Sequence, residues 1–325
     1  MNTHPLISSH SEAMAYLKNK INVIADIIGP EPSIAYLDYP VHLNTGDLLI
    51  MKGTEAFFSH HMLHPVVRRS VVAQSRTDGT VKGIIEGKTT IVLQGGGNLG
   101  DLYPLHENLR ELLIARYPQN KIVILPQTLC FSSRENLDRA AKRYRSHPDL
   151  HICCRDEVSL ELARKYLSPN VYLLPDMAHF LWPIIGDNQV ERRDERLFLI
   201  RTDTEAAAIP EDYRDCIDEF QDWDDLRRGT DVFVEFICKK MGALDRIRQT
   251  EFFPVTTVWY KFVDGFIARN AAAFQGRSEV ITSRLHGHIF ATLLGIDNTL
   301  IDNSYGKNSS YYKAWTHLSD KARLC

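Results

Sequence analysis

The 325-residue sequence has no Cys-x-x-Cys pair; its six cysteines are scattered, with Cys153 and Cys154 adjacent. That spacing excludes a zinc knuckle and argues against a disulfide framework, so a reducing, cytoplasmic setting is expected. Long apolar runs are also missing: no uncharged stretch is long enough to span a bilayer, and the N-terminus lacks the basic-then-apolar order of a signal peptide. Neither sign of charge dominates. With 24% charged residues and a net charge of -3, the chain has no polycationic face for nucleic acid. Internal repeats and low-complexity segments are absent, which excludes solenoids and disordered linkers. What is present is an ordinary globular composition, 44% hydrophobic, on a chain long enough for two domains.

Met14, Leu17, Ile21, Ile24, Ile27 and Ile28 recur at helical spacing and predict an amphipathic opening helix that ends at Gly29-Pro30. Packing on the body of the protein is the expected role of its apolar face, with membrane-surface contact as the alternative. Short β-rich runs then alternate with helical stretches: "SIAYLDY", "PVVRRSVVA", "TTIVLQ", "KIVILP", "DLHICC" and "NVYLLP". Strands alternating with crossover helices indicate a parallel, doubly wound sheet. The charge-dense "GDNQVERRDER" reads as a hinge. A second set follows, from "LFLIRTD" through helices near 230–241 and 256–275, the strand "SEVITS", a helix after Arg284 and the strand "NTLID". The expected architecture is α/β, two domains facing across a cleft, with ligands at the carboxyl ends of the strands.

Several of these strand ends carry polar groups. In "TTIVLQGGGNLGDLYP", Gly95, Gly97 and Gly100 satisfy G-x-G-x-x-G, but no acidic ribose ligand follows and Asp101 would repel a pyrophosphate. Asp101 instead reads either as a base for a hydroxyl or as a cap for the helix starting near Pro104. In "NTGD", Asn44 is placed to reach a ligand, while helix capping alone explains Asp47. His60, His61 and His64 lack an acidic partner and read as a solvated helix end, so no metal site is expected. Asp156 reads as an N-cap beside Arg155, which pairs locally or reaches into the cleft. "LLPDMAHF" places Pro175, Asp176 and His179 at another strand end, and Arg201 and Asp203 suit a phosphate. In "ITSRLHGHIFATLLG", a strand delivers Ser283 and Arg284 to the cleft where the helix bearing His286 and His288 begins. Its amino end, a guanidinium and an imidazole together favour an anion and a proton donor. Asn303 ends the next strand, and a Gly306-Lys307 turn brings Lys307 towards the same anion. Tyr311, Tyr312 and Trp315 are expected to pack the last helix.

The ordered set "NTGD", "LQGGGNLGD", "ILPQTL", "RDEVS", "LLPDMAH", "SRLHGH" and "DNSYGK" resembles the polysaccharide pyruvyl transferase family, especially its bacterial exopolysaccharide members. The resemblance runs from about Asp38 almost to the C-terminus. It implies two Rossmann-like domains in a glycosyltransferase-B-like pair, 1–186 on the acceptor side and 187–325 on the phosphoenolpyruvate side. It further implies transfer of pyruvate from phosphoenolpyruvate to a sugar as a ketal, in exopolysaccharide, capsule or biofilm synthesis, with no cofactor and no metal demanded. Under that resemblance His286 is the acid and Asp101 the base. Substrate is held by Arg155, Arg201, Arg284, Lys307, Asn44, Gly96, Gly97, Asn98, Ser283, His288 and Asn303. The acceptor implied is a lipid-linked oligosaccharide at the inner face of the plasma membrane, where peripheral contact is open. Two alternatives stand beside it: a glycosyltransferase using a nucleotide sugar on the same scaffold, and a non-catalytic carbohydrate-binding protein.

Overall fold

Short, β-branched runs between polar turns can bury both faces only if helices cover them, and that is what they do here. A computed structural model describes residues 7–29, 33–61, 66–71, 81–183, 195–202, 209–211, 213, 220–248, 252–302 and 306–325. Seven parallel strands form the first sheet: β1 (Ser33–Leu37), β2 (Val66–Ser70), β3 (Thr89–Leu93), β4 (Gly96–Gly100), β5 (Ile122–Cys130), β6 (Leu150–Cys154) and β7 (Asn170–Leu173). Their order is β2-β1-β3-β5-β6-β7, with β4 continuing the line of β3 along the distal half of β5. A second, five-stranded parallel sheet holds β8 (Arg196–Leu199), β9 (Phe220–Gln221), β10 (Glu279–Thr282), β11 (Asn298–Leu300) and β12 (Ala322–Leu324), ordered β12-β11-β10-β8-β9. Both sheets are α/β, of the Rossmann type expected. The stretch read as a hinge, residues 186–196, lies outside the described residues except for Glu195 and Arg196.

The glycine run behaves differently from the expected turn. Gly96–Gly100 is itself a strand, and at Gly100, where φ is +120°, a Cβ would lie 1.9 Å from the Cys130 carbonyl oxygen. Close strand approach, rather than a phosphate-cradling loop, explains the glycine there.

Three apolar clusters order the layers. One covers the outer face of the first sheet with α4 (Pro104–Arg116), α5 (Arg134–Arg145) and α6 (Glu157–Tyr166). A small one lies on the second sheet around Phe198 and Ile281. The largest runs between the sheets. It takes residues from α1 (His10–Ile21), α2 (Val23–Ile28) and α3 (Thr45–His61) of the first half and from α8 (Val255–Phe274) and α9 (Leu285–Leu293) of the second. The opening helix is capped by Ser9 and buries Ala13, Met14, Leu17 and Ile21 in this shared core, so its apolar face is not available to a membrane. No helix of the described residues is long and apolar enough to cross a bilayer.

At the centre of this layer, α3 packs against the short 3-10 turn Met177–Leu181 and against α9. Its contact face is glycine. A Cβ on Gly53 would sit 2.0 Å from the Met177 carbonyl oxygen, and one on Gly46 would sit 2.3 Å from His286 Nδ1. Helix propensity alone predicts that Gly53→Ala stabilises by about 1 kcal/mol. Here the overlap with backbone should reverse the sign, to a loss of about 2 kcal/mol. Chemical denaturation would measure this, and an unchanged or raised stability would contradict the packing described.

Candidate active site

In open parallel sheets a crevice forms where the chain, after one strand, turns to opposite sides of the sheet. The first sheet reverses between β1 and β3, and the second between β8 and β10. Both reversals face one cavity of about 270 Å³. His42, Asn44 and Asp47 follow β1; Gly97 and Asn98 follow β3; Arg155 follows β6. Across from them, Arg201 follows β8, Arg284 and His286 follow β10, and Lys307 opens α10 (Lys307–Ala314) beyond β11. Four cationic side chains and the His286 imidazole, drawn from four strand ends and both sheets, therefore line one small space.

Their geometry is fixed by carboxylates behind them. Asp176, fully buried, accepts from Arg155 Nη1 at 2.7 Å and from Ala178 N–H at 2.9 Å, and lies 3.3 Å from His286 Nε2. Burial by itself would raise this carboxyl; the adjoining His286 and Arg155 groups and the Ala178 amide outweigh it and hold it well below the usual carboxylate range. His286 Nε2 is also 3.4 Å from Arg155 Nη1. The imidazole thus has a partner in either state: as a cation it donates to Asp176, and as a base it accepts from Arg155. A second carboxylate, Asp222, takes a bidentate fork from Arg284 (Nε 2.8 Å, Nη2 2.5 Å) and an N–H from Thr202. Burial, which would raise it, is overcome by that fork, so Asp222 too stays ionised below the ordinary range. Neither carboxylate lines the cavity; Arg155 and Arg284 do.

Backbone and side-chain ties pin the strand ends. Arg155 Nε donates to Thr128 Oγ1 at 2.8 Å, and its carbonyl accepts Trp315 Nε1 at 2.8 Å. Asn308 Nδ2 donates to the carbonyls of Ser283 and Ile301, each at 2.9 Å. Asn98 Oδ1 accepts from Arg110 and Gln127, and its amide N–H donates to Gln127 Oε1. His106, which also lines the cavity, binds buried Asp38 through Nδ1 at 2.7 Å. At Asp38 the backbone turns with φ of +62°.

Of the residues singled out in the sequence, Asn44, Gly97, Asn98, Arg155, Arg201, Arg284, His286 and Lys307 line the cavity. Gly96 lies just behind it, where a Cβ would be 3.3 Å from Asp47 Oδ1. Ser283 is not a lining residue: it is buried, and its Oγ accepts the Arg201 N–H at 2.8 Å, tying β8 to β10. Asn303 and Asp203 lie outside the described residues.

Two placements correct the sequence reading. Asp101, directly after β4, is not among the residues that line the cavity. Its carboxylate accepts from Ser132 N–H and Oγ and from Asn136 Nδ2 at 2.8, 2.5 and 2.5 Å. Slight burial is outweighed by those bonds, which hold it below the usual carboxylate range and make it a weaker base. It does not cap α4 either, whose N-cap is Tyr103. His288 faces the core: two residues on a helix turn its direction by about 200° from that of His286, and its Nε2 meets Thr316 Oγ1 at 2.8 Å. Burial lowers it to about 3.

Sequence reasoning missed His42, His106, Asp222 and Trp223, passed over Tyr103 at the end of the quoted glycine stretch, and underrated Asp47 and Asp176. The two aspartates stood in the quoted strand-end turns, and a carboxylate directly after a strand in a cation-rich set was the usable signal. Tyr311 and Trp315 pack as expected, Tyr311 with its hydroxyl accepting Asp176 N–H at 3.1 Å. His61 meets Asn22, and no cluster of metal-binding side chains occurs among the described residues.

Comparison with known proteins is consistent along the chain. The sequence profile described as "Polysaccharide pyruvyl transferase" matches residues 44–305. The protein named "Putative pyruvyl transferase EpsO" from Bacillus subtilis (strain 168) is 39% identical over 319 residues, 98% of this chain and 95% of its own. "Pyruvyl transferase 1" of Schizosaccharomyces pombe is 24% identical over 312 residues, 87% of this chain and 70% of that protein. The crystal structure of an uncharacterized protein from Klebsiella pneumoniae shares the fold, with a TM-score of 0.60 at 18% identity over 95% of this chain and 98% of that one.

The buried histidines give a pH prediction. Burial lowers His179 to about 4 and His288 to about 3. Their ordinary value is near 6.5, so below it the unfolded chain binds protons that the folded protein refuses, and stability must fall as pH drops from there towards 4. The slope is about 1.4 kcal/mol per pH unit for each histidine. His288→Asn should flatten it in thermal melts at pH 7 and pH 5, whatever its effect on the midpoint itself. A pH-independent midpoint for the parent protein would show that these rings are not buried neutral.

Proposed function

The chain belongs to the polysaccharide pyruvyl transferase family, and from that membership we propose that its donor is phosphoenolpyruvate and that it builds a pyruvate ketal on two hydroxyls of a sugar. The convergence of Arg155, Arg201, Arg284 and Lys307 with His286 on one cavity carries this reading. Phosphoenolpyruvate brings a carboxylate and a phosphate on a three-carbon frame, and a small space ringed by cations suits it. The open amino end of α9, whose N-cap Arg284 supplies no side-chain cap, adds a further positive end.

In the proposed reaction His286 gives a proton to the methylene carbon of the enol phosphate. The double-bond electrons form the new C–H bond and leave an oxocarbenium-like centre at the neighbouring carbon. A sugar hydroxyl adds there and loses its proton. The carbon–oxygen bond to phosphate then breaks, inorganic phosphate departs, and a second hydroxyl of the same sugar closes the ketal with loss of its proton. Asp176 stabilises the imidazolium before transfer, and Arg155 supports the neutral ring after it. Asp47 replaces Asp101 as the proposed acceptor of the hydroxyl proton. It lines the cavity and follows Gly46, on which the His286 ring rests. His106, held by Asp38, is assigned to acceptor hydroxyls.

We assign the first-sheet half, residues 1–186, to the acceptor and 187–325 to phosphoenolpyruvate, in a glycosyltransferase-B-like arrangement. The proposed acceptor is a lipid-linked precursor of an exopolysaccharide, met at the inner face of the plasma membrane. EpsO, matched over nearly its whole length, favours the bacterial polysaccharide context.

Incubation of candidate glycans with phosphoenolpyruvate, followed by mass spectrometry and phosphate assay, should show one ketal per phosphate released. Thermal stabilisation by nucleotide sugars but not by phosphoenolpyruvate would instead point to glycosyl transfer. His286→Ala should lower kcat about 100- to 10,000-fold with the fold intact. Asp47→Asn should cost about 100-fold or more and Asp101→Asn little; the reverse ranking would restore Asp101 as the base. Asp176→Asn should move the alkaline limb of the kcat profile to lower pH, because the imidazolium loses its anionic partner.

A further inference from the structure

The helix α7 (Gly229–Arg248) turns Val234 and Met241 to the main core, yet it carries a second apolar set on its outer face. The side chains it buries are Asp231, Cys238 and Asp245, together with Gly242, whereas Phe233 is 64% exposed, Phe236 53% and Ile247 75%. Phe252, just beyond its end, is 80% exposed. A surface helix normally turns its apolar stripe to the core and its acids to water. Here the two acids have specific inward partners. Asp231 takes Arg269 at 2.5 Å and the Arg228 N–H at 2.9 Å. Asp245 takes the N–H groups of Phe252 and Phe253 at 3.1 and 3.2 Å, and so fixes where Phe252 projects.

Withdrawal of these acids leaves the outward charges of the helix itself basic; in the turn before it Asp224 and Asp225 are exposed, Asp224 paired with Arg227 at 2.6 Å. Lys240, Arg246 and Arg248 are exposed along the helix, with Arg228 before it, and Lys240 Nζ stands 5.4 Å over the Phe236 ring. The remaining acid of the helix, Glu235, is paired with Lys239 at 2.6 Å. Bulky apolar side chains set among lysines and arginines match the boundary of a bilayer, where rings enter the acyl region and cations meet phosphate headgroups. A second copy of the chain, docked face to face, would bring the same basic groups against each other.

We propose that the outer face of α7, continued by Phe252, is a docking surface for an anionic lipid bilayer. The contact replaces the one that the opening helix cannot make, since α1 spends its apolar face in the core. Its position beside the site is also defined. The turn Trp223–Leu226 runs directly into α7, and Trp223 lines the cavity. Asp231 holds Arg269, whose neighbour Asn270 donates to Thr45 Oγ1 at 3.0 Å, next to the Gly46 that supports His286. These contacts connect the inward side of α7 to the cavity wall; the docking surface on its outer side does not depend on the proposed reaction.

The test is co-sedimentation of the full chain, without substrate, with vesicles of phosphatidylglycerol and phosphatidylcholine and with phosphatidylcholine vesicles alone. Binding to the anionic vesicles, weakened by salt, is expected, with little to the neutral ones. Phe233→Ser with Phe236→Ser should lower partitioning about tenfold or more while leaving the melting temperature within a degree or so, because both rings are exposed. Lys240→Glu with Arg248→Glu should abolish the preference for phosphatidylglycerol. Absence of binding to anionic vesicles at low salt, or undiminished binding by the double serine variant, would overturn the proposal. So would a concentration-dependent dimer that the serine variant dissociates in a protein that ignores vesicles. Phosphate release from phosphoenolpyruvate, assayed separately with a water-soluble acceptor, reports on the chemistry and not on this surface.

Discussion

A fully buried carboxylate, Asp176, is the constraint around which the two halves are assembled. It lies in the turn after the last strand of the first sheet, accepts a guanidinium from one side, and faces an imidazole carried by a helix of the other sheet. Leaving such a charge unpaired in the interior costs several kcal/mol, so each half completes the other's electrostatics. The same turn accepts the glycine face of α3, and its Asp176 amide is met by Tyr311 near the C-terminus. Displacement of any one of these contacts would leave a buried polar group without its partner.

The cavity inherits its chemistry from that arrangement. Four cations and the carboxylate of Asp47 stand on its walls, and the carboxylates that orient two of the cations, Asp176 and Asp222, stand behind the guanidiniums rather than in the space they line. This order preorganises positive charge without neutralising it on the ligand side, which is how an anionic substrate is held and how charge that develops during reaction is met without reorganisation. The imidazole has a partner in both protonation states, so gain and loss of its proton need no rearrangement of the wall. The motifs that carry the family match, among them "RDEVS" and "SRLHGH", are also the ones that supply Arg155, Arg284 and His286 to the wall.

The same sorting of charge appears on the outside. At α7 the acids are drawn inward onto Arg269 and onto backbone amides, and the bases remain beside exposed rings. In the site and on this face alike, carboxylates turned inward set the position of the basic groups around them. Trp223, in the turn before α7, lines the cavity, and Arg269, which Asp231 holds, neighbours the Asn270 that donates to Thr45.

Much of this was legible in the chain. Apolar runs of about five residues fixed the strands, their alternation with helical stretches fixed parallel sheets, and strand-end polar groups such as Asn44, Arg155, Arg284 and His286 marked the site, because side chains after parallel strands emerge at one edge. Helical spacing of Met14, Leu17 and Ile21 likewise announced a buried stripe. Other features depended on approach in space. Whether Gly100 served a turn or a close strand was decided by the Cys130 carbonyl opposite it. Asp101 and Asp47 looked alike in sequence, each after a glycine near a helix start, and only the fold gave one to Ser132 and the other to the cavity. His286 and His288 differ by two residues, which on a helix is enough to send one ring to the cavity and the other to the core. Local pattern determines which elements form, since it acts through backbone geometry and neighbouring residues; the partner of each buried charge is set by chains far apart in sequence, and only their packing decides it.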